Sequence, residues 1–238
     1  MKIALFGLGA MGRVVAERAR GRGDEIGVVL TSREAGLNAA EAAELLRGHD
    51  VAIDFSRADG VLAHVSACAR AGVPLVEGTT GWDSQEAAVR RTVVAAGGAL
   101  VYGANFSIGV NLFYRLVARA GELFGGLPGY DAFIEEAHHA GKRDAPSGTA
   151  LELGRILAAR LGRGVPIAST RAGHIPGTHR IGFDSAADQV TLTHTVRSRD
   201  GFAAGALVAA RWVAGRRGVF AFAEILDEIL SMTREKVP

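Results

Sequence analysis

The sequence of 238 residues has little cysteine, little lysine and no long apolar segment. Its one cysteine, Cys68, excludes an intrachain disulfide, and its place in an apolar helical pattern indicates a core position. No apolar stretch approaches the roughly 18 residues that a membrane span needs. Glycines interrupt the N-terminal apolar run too early for a signal peptide. We therefore expect a cytoplasmic protein without a membrane partner.

The net charge is small, only +2, and no run of basic residues alternates with aromatic residues. This pattern argues against a nucleic-acid partner. Only three of the 27 basic residues are lysines, namely Lys2, Lys142 and Lys236. Lys142 therefore stands out as a candidate functional group in the middle of an arginine-rich chain.

A glycine-rich turn follows the first short apolar run, residues 2–6, and precedes a helical pattern. The residues of this turn are Gly7, Leu8, Gly9, Ala10, Met11 and Gly12. The GxGxxG spacing between a strand and a helix predicts a dinucleotide site, with a pyrophosphate resting on the helix N-terminus. The alternative is a glycine-rich turn in an unrelated α/β domain.

The end of the second predicted strand, residues 25–30, bears on the choice of cofactor. Domains specific for NAD place an acidic residue there to bind the ribose hydroxyls. Here the chain continues with Thr31, Ser32 and Arg33, and no acid occurs before Glu34. Since Arg33 is available for a 2′-phosphate, we expect NADPH to be accepted at least as well as NADH. The alternative is that Arg33 is merely a solvated loop residue.

Strands and helices alternate over the first 105 residues, which predicts a doubly wound parallel sheet. A turn of small polar residues follows one strand, at the edge where ligands bind in such sheets, and a second loop follows a later strand. After the strands at 74–77 and 99–102 these residues are Gly78, Thr79, Thr80, Gly103, Ala104, Asn105 and Phe106.

The predicted division has two domains and no low-complexity linker. An apolar helix over 110–124 carries the chain out of the first domain, and a last helix over 220–232 returns to it. Residues 1–105 and 214–238 then form the dinucleotide-binding domain. Residues 106–213 form a C-terminal α/β domain for substrate binding and oligomerisation, built on an open mixed sheet.

The segment 135–150, EEAHHAGKRDAPSGTA, concentrates the polar chemistry. His138 and His139 follow a predicted strand at 130–136, and both can face one site only if that strand ends at Glu136. Adjacent histidines are a poor metal spacing and no convincing third ligand is near in sequence, so we expect no metal. An imidazole and the ammonium of Lys142 suit proton donation instead.

Ser147 is the predicted N-cap of a helix that runs to about Leu161. The amides of Gly148 and Thr149 lie in its first turn, at the positive end of the helix dipole. Together with the two hydroxyls they would suit a carboxylate or phosphate. An ordinary capped helix is the alternative.

The segment 136–150 resembles the signature of the 4-hydroxy-tetrahydrodipicolinate reductase (dihydrodipicolinate reductase) family, E-x-H-H-x-x-K-x-D-x-P-S-G-T-A, at every fixed position. Further similar segments occur in order along nearly the whole chain. They are the GxGxxG turn, DFS at 54–56, GTTG at 78–81, ANFSIGVN at 104–111, R-x-G-x-x-x-G-x-H at 171–179, THTVRSR at 193–199 and FAAGAL at 202–207.

The resemblance implies a Rossmann domain, a substrate domain whose open sheet builds a homotetramer, and hydride transfer from NADPH or NADH to a cyclic imine dicarboxylate. By motif position, His138 would be the general acid/base and Lys142 the proton donor. His139, Ser147, Gly148 and Thr149 would hold the substrate's carboxylates. The glycine-rich turn, residues 78–80 and residues 103–106 would surround the cofactor.

Two features depart from the family pattern. The acid that many members carry after the second strand is absent, which puts NADH preference in doubt. The segment 162–170 is short where the family usually has an extra strand-containing stretch, so the second sheet and the tetramer interface are expected to be reduced. Two other functions stay open: another two-domain nicotinamide dehydrogenase of an amino or oxo acid, or a non-catalytic NAD(P)-binding regulator.

Overall fold

The computed structural model describes residues 1–34 and 36–234. The chain forms two compact units, one of Met1–Ile108 with Arg199–Pro238 and one of Gly109–Ser198. In the described part of the chain no helix is long and apolar enough to cross a membrane. Cys68 is buried, and this burial raises the pKa of its thiol, as expected of a core cysteine.

The first unit contains a parallel sheet of six strands in the order β10-β5-β4-β3-β1-β2. Its strands are β1 (Lys2–Phe6), β2 (Glu25–Leu30), β3 (Val51–Asp54), β4 (Leu75–Glu77), β5 (Ala99–Tyr102) and β10 (Gly218–Ala221). The central strands are almost fully buried and apolar except for Asp54 and Glu77 at the ends of β3 and β4, as is typical of parallel strands covered on both faces. The predicted doubly wound sheet is confirmed.

Six helices accompany this sheet. They are α1 (Ala10–Arg20), α2 (Ala39–Leu46), α3 (Val61–Ala71), α4 (Glu86–Ala95), α7 (Asp200–Val213) and α8 (Leu226–Arg234). Helix α3 packs against α2 and α4, while α7 packs against α1 and the strands β3, β4 and β5. Because α1 follows β1 directly, its N-terminus lies at the carboxyl edge of the sheet, where the predicted cofactor loops begin.

The second unit is built on a mixed sheet of four strands in the order β7-β6-β8-β9. Its strands are β6 (Asp131–His138), β7 (Ile167–Arg171), β8 (Thr178–Asp184) and β9 (Gln189–Thr195). Two helices, α5 (Ile108–Phe124) and α6 (Gly148–Leu161), contribute to one core with β6 and β8. This core includes Phe113, Val117, Ile134, Leu153, Leu157, Ile181 and Phe183. The predicted open mixed sheet is therefore present.

In the arrangement of its elements, the structure differs from the expectations at several positions. Helix α7 belongs to the first unit, whereas the predicted boundary placed 106–213 in the second, because its apolar residues pack on the parallel sheet. Residues 218–221 form strand β10 beside β5, so the last helix begins later than predicted. The short segment before Arg171 still contains a strand, β7, which pairs in parallel with β6.

Close packing of α7 on the loop after β5 generates a stability prediction. A Cβ at Gly205 would overlap the carbonyl oxygen of Phe106, whereas a Cβ at Gly201 would lie 3.6 Å from the hydroxyl of Ser107. We expect Gly205→Ala to lower the free energy of unfolding by about 1–3 kcal/mol, as overpacking does. This loss would occur although alanine favours helices by about 1 kcal/mol.

Urea unfolding of both variants checks this expectation, with Gly201→Ala as the matched control in the same helix. Equal stabilisation by the two substitutions would contradict the close contact between α7 and the Phe106 loop.

Candidate active site

Strand β6 separates the two adjacent histidines. It continues through His138, beyond the predicted end at Glu136, so successive side chains alternate between its faces. His138 is buried and shares a face with Glu136, whereas His139 is exposed just past the strand. The two histidines therefore occupy different environments, and His138 lies inside the second unit.

The carboxylate of Glu136 is fully buried and is the centre of a polar network. Arg171 donates from Nη2 to Oε1 of Glu136 at 2.6 Å, and the backbone amide of Ser147 donates to the same oxygen at 3.2 Å. Burial alone would raise the pKa of Glu136, but hydrogen bonds from Ser169, Arg171 and Ser147 outweigh it and lower the pKa to about 2. The carboxylate is therefore ionised inside the unit.

Two histidine rings lie beside the other oxygen of this carboxylate. Nδ1 of His138 is 2.8 Å from Oε2 of Glu136, although the angle does not complete a hydrogen bond, and Nε2 of His179 is 3.8 Å from it. Burial lowers the pKa of His138 against the opposing effect of Glu136. Burial and the neighbouring His138 lower the pKa of His179 to about 4. Both imidazoles are therefore neutral at neutral pH.

The start of α6 lies in the same network. Ser147 is its N-cap, and its hydroxyl accepts from the amide of Ala150 at 3.2 Å and contacts Nε2 of His179 at 3.0 Å. The first intrahelical backbone bond runs from Leu151 to Ser147, so the amides of Gly148 and Thr149 point out of the helix end. The side chain of Thr149 is hydrogen-bonded to the side chain of Tyr114. This helix start therefore offers backbone amides more than free hydroxyls.

Lys142 lies in the turn between β6 and α6. Its backbone amide donates to the carbonyl of His139 at 3.1 Å, and Nζ pairs with Asp144 at 2.8 Å. The Lys142 side chain is 26% exposed, so its ammonium keeps access to solvent. The turn thus presents a partly exposed basic side chain in the segment between β6 and α6.

The side chains of Glu136, His138 and His179 could also hold a metal ion, since one ligand atom from each lies within 4.8 Å of the others. The sequence was expected to offer no convincing third ligand. This expectation is wrong, because Glu136 and His179 both lie close to His138. Two of the three groups already have protein partners, because Arg171 pairs with Glu136 and Ser147 contacts His179. The guanidinium of Arg171 therefore offsets the charge of Glu136 in the absence of a metal ion.

The glycine-rich turn of the first unit is built for close approach of a ligand. Gly7 has φ +86°, and a Cβ there would meet the carbonyl oxygen of Phe55 at 2.9 Å. A Cβ at Gly12 would overlap the carbonyl oxygen of Gly7, so strand and helix pack tightly. Gly9 caps α1 without a side chain, and Leu8, Gly9 and Ala10 are exposed. The helix N-terminus is therefore open to a pyrophosphate.

A cavity of about 240 Å³ lies within the first unit beside this turn. Five of its residues were predicted for the cofactor: Met11, Gly78, Ala104, Asn105 and Phe106. Three others had no predicted role: Phe55, Arg199 and Phe202. All three stand in segments similar to the family, namely 54–56, 193–199 and 202–207, and this was the available sequence signal. Thr79 is buried beside Gly78 while Thr80 is exposed.

The loop after β2 shows why no acid is available for the ribose. The carboxylate of Glu34 accepts from the amide and the hydroxyl of Thr31 at 2.7 and 2.8 Å. Backbone and side-chain hydrogen bonds from Thr31 lower the pKa of Glu34, so this carboxylate is ionised and engaged by its own loop. Ser32 and Arg33 are exposed at the same turn.

Comparison with family models assigns both halves of the chain. Residues 1–106 match the model described as dihydrodipicolinate reductase, N-terminus, and residues 109–226 match dihydrodipicolinate reductase, C-terminus. The boundary between the two matches falls at the start of α5.

Curated relatives and solved structures agree with these matches. A 4-hydroxy-tetrahydrodipicolinate reductase of Christiangramia forsetii is 34% identical over 96% of this chain and 99% of its own length. The enzyme of that name from Xylella fastidiosa is 44% identical over 74% and 73% of the two chains.

A dipicolinate-bound dihydrodipicolinate reductase from Paenisporosarcina sp. TG-14 has a TM-score of 0.78 with 23% identity. The matched region covers 95% of this chain and 98% of that one, which shows a shared fold. With both family models matched in order along the sequence, the chain belongs to the dihydrodipicolinate reductase family, the NAD(P)H-dependent oxidoreductases of diaminopimelate and lysine biosynthesis that its motifs resemble.

Proposed function

We propose that this reductase converts 4-hydroxy-tetrahydrodipicolinate to tetrahydrodipicolinate, with its proton-handling and carboxylate-holding groups gathered in the second unit. The observation that carries the proposal is the buried carboxylate of Glu136. It contacts His138 at 2.8 Å and the amide of Ser147 at 3.2 Å, and so links the two groups of residues. A cyclic dicarboxylate needs both a set of anion donors and a proton source close together.

The substrate's carboxylates are assigned to the start of α6. The outward amides of Gly148 and Thr149 lie at the positive end of a 14-residue helix, and the N-cap Ser147 fixes their direction. His139 is exposed next to the turn, where its ring is free to meet a carboxylate from solvent. These residues bind and orient the substrate while Lys142 supplies a cation nearby.

Protonation is divided between His138 and Lys142. Because burial lowers the pKa of His138, its imidazole is neutral at neutral pH and accepts or relays a proton. The Lys142 side chain is the donor to the electron-rich centre of the reduced imine. Glu136 keeps the His138 ring in place and does not itself need to change its charge.

The nicotinamide cofactor, held in the first unit, supplies the hydride. Gly7–Gly12, residues 78–80 and residues 103–106 provide the backbone surface for it, since side chains at several of these glycines would collide with neighbouring atoms. Because Glu34 is engaged by Thr31 and Arg33 is exposed, we assign the 2′-phosphate of NADPH to Ser32 and Arg33. NADPH is therefore accepted at least as well as NADH.

The assembly proposed is a homotetramer formed through the open face of the second sheet. One face of this sheet is covered by α5 and α6, whereas Glu135 of β6 and Thr191 and Thr193 of β9 are exposed on the other. The short segment 162–170 was expected to lack a strand, but β7 begins within it and pairs with β6 in this sheet. A cytoplasmic location is proposed with this assembly, in keeping with amino-acid biosynthesis.

Neither alternative function is favoured. The amine dehydrogenase of Mycobacterium smegmatis has a TM-score of 0.61 but is only 14% identical. This similarity shows a shared fold and does not favour an amine substrate for this chain. A non-catalytic NAD(P)-binding regulator would not need Glu136, His138 and Ser147 held in one buried network.

The first prediction concerns the proton-handling pair. In a His138→Gln/Lys142→Ala double variant we expect kcat for NADPH oxidation to fall about 10²–10⁴-fold, because general acid–base groups contribute on that scale. The substrate is the product of the preceding synthase step, and NADPH absorbance reports turnover. Arg143→Ala, which removes an exposed cation next to Lys142, is the matched control. Turnover at the wild-type rate in the double variant would show the assignment to be wrong.

The second prediction concerns cofactor choice. Arg33→Ala is expected to raise the Michaelis constant for NADPH about tenfold while that for NADH stays unchanged, since one charge-assisted contact to the 2′-phosphate is lost. The control Arg47→Ala removes an exposed arginine at the end of α2 that pairs with Glu44 of the same helix. An unchanged ratio of the two Michaelis constants in Arg33→Ala contradicts the assignment.

A further inference from the structure

Two carboxyl groups are buried side by side under the cofactor loops of the first unit. Asp54 ends β3 and Glu77 ends β4, and the two residues are register partners in the parallel sheet. Both are fully buried. Neighbouring residues in register on parallel strands project their side chains to the same face, so the two carboxyls face each other. The mechanism proposed above uses neither of them.

The surroundings of this pair can neutralise only one of the two charges. Nδ1 of His64, on α3, lies 2.6 Å from Oδ2 of Asp54. Cys68 on α3 faces both carboxyls with a neutral thiol. On β5 the partner of Glu77 is Tyr102, whose hydroxyl accepts from Arg90 of α4. The His64 ring contacts Asp54, whereas Glu77 has no basic side chain as a partner among the described residues.

Each oxygen of Glu77 has a distinct environment. Oε1 accepts from the backbone amide of Thr79 at 2.7 Å. Oε2 is buried and has no hydrogen-bond partner among the described residues, and the carboxyl of Asp54 neighbours the Glu77 carboxyl. A buried oxygen of this kind is costly as part of an anion but is satisfied if it carries a proton and donates it to a carboxylate.

The same pair organises the loops that line the cofactor cavity. Asp54 accepts through Oδ1 from the amide of Ser56 at 2.8 Å and from the hydroxyl of Thr79 at 3.3 Å. Their backbone carbonyls also accept hydrogen bonds. The amide of Gly78 donates to the carbonyl of Asp54 at 2.9 Å, and the amide of Gly103 donates to the carbonyl of Glu77 at 3.1 Å. The loops after β3, β4 and β5 are therefore all fixed to these two residues.

We propose that Glu77 is a neutral positioning residue for the cofactor: its protonated carboxyl donates from Oε2 to Asp54 and accepts the Thr79 amide at Oε1, which holds the Gly78-Thr79-Thr80 turn in its binding conformation. Burial and the neighbouring Asp54 both raise the pKa of Glu77 well above its ordinary value, in agreement with this geometry. The proposal rests on a nicotinamide cofactor binding in the first unit, and not on the identity of the substrate.

Two measurements on the full chain test this proposal without substrate. Infrared difference spectroscopy at neutral pH should show the carbonyl stretch of a buried protonated carboxyl, and Glu77→Gln should remove it. The dissociation constant for NADPH, from cofactor fluorescence, should stay within about twofold in Glu77→Gln, whose amide can donate and accept as the acid does. In Glu77→Leu it should rise about tenfold, because the Thr79 amide loses its acceptor.

The control is Glu44→Gln, an exposed carboxylate on α2 that pairs with Arg47, and it should leave both measurements unchanged. The proposal is overturned if the protonated-carboxyl band persists in Glu77→Gln, or if Glu77→Leu folds and binds NADPH like the wild type. If Glu77→Leu does not fold, Glu77→Gln decides alone: loss of cofactor binding there overturns the proposal. A failure of the proposed substrate would instead leave cofactor binding intact and abolish only turnover.

Discussion

The second unit depends on one constraint, the complete burial of the ionised carboxylate of Glu136. A buried charge must be paired and hydrogen-bonded, and removing one partner commonly costs about 3–5 kcal/mol. Arg171 from the end of β7 and the Ser147 amide from the start of α6 meet this requirement. The same carboxylate therefore fixes where α6 begins, where β7 ends and how the His138 ring is oriented.

Each unit buries carboxyl groups at or near the carboxyl ends of its strands, one in the second unit and a pair in the first, and compensates for them in a different way. In the second unit a cation, Arg171, keeps Glu136 charged. In the first unit His64 pairs with Asp54, and the proposed proton on Glu77 removes the second charge. Both choices suit the ligands of the proposed function. The ionised carboxylate would hold a neutral imidazole beside an anionic substrate, whereas a neutral Glu77 would add no negative charge near an anionic cofactor.

Residue spacing within single segments was enough to predict several local features of both units from the sequence. The GxGxxG turn, the strand–helix alternation and the Ser147 helix start follow from spacing, and the structure has all three. The parts that were missed depend on pairing between distant segments. His179 meets Glu136 because β8 pairs with β6, and Arg171 reaches it because β7 does. Likewise, the segment 202–207 was similar to the family, but the place of Phe202 at the cavity depends on the packing of α7 on the first sheet.

The most direct test of this account is an NMR titration of the carboxyl carbon of Glu136 and of the ring of His179, assigned with Glu136→Gln and His179→Gln. We predict that Glu136 titrates near pH 2 and His179 near pH 4. Both values lie below those of the unfolded chain, so the stability they contribute is present above the unfolded pKa values and is lost as the pH falls. A Glu136 that titrates at or above its ordinary value of 4.5 would contradict the claim that an ionised buried carboxylate organises this site.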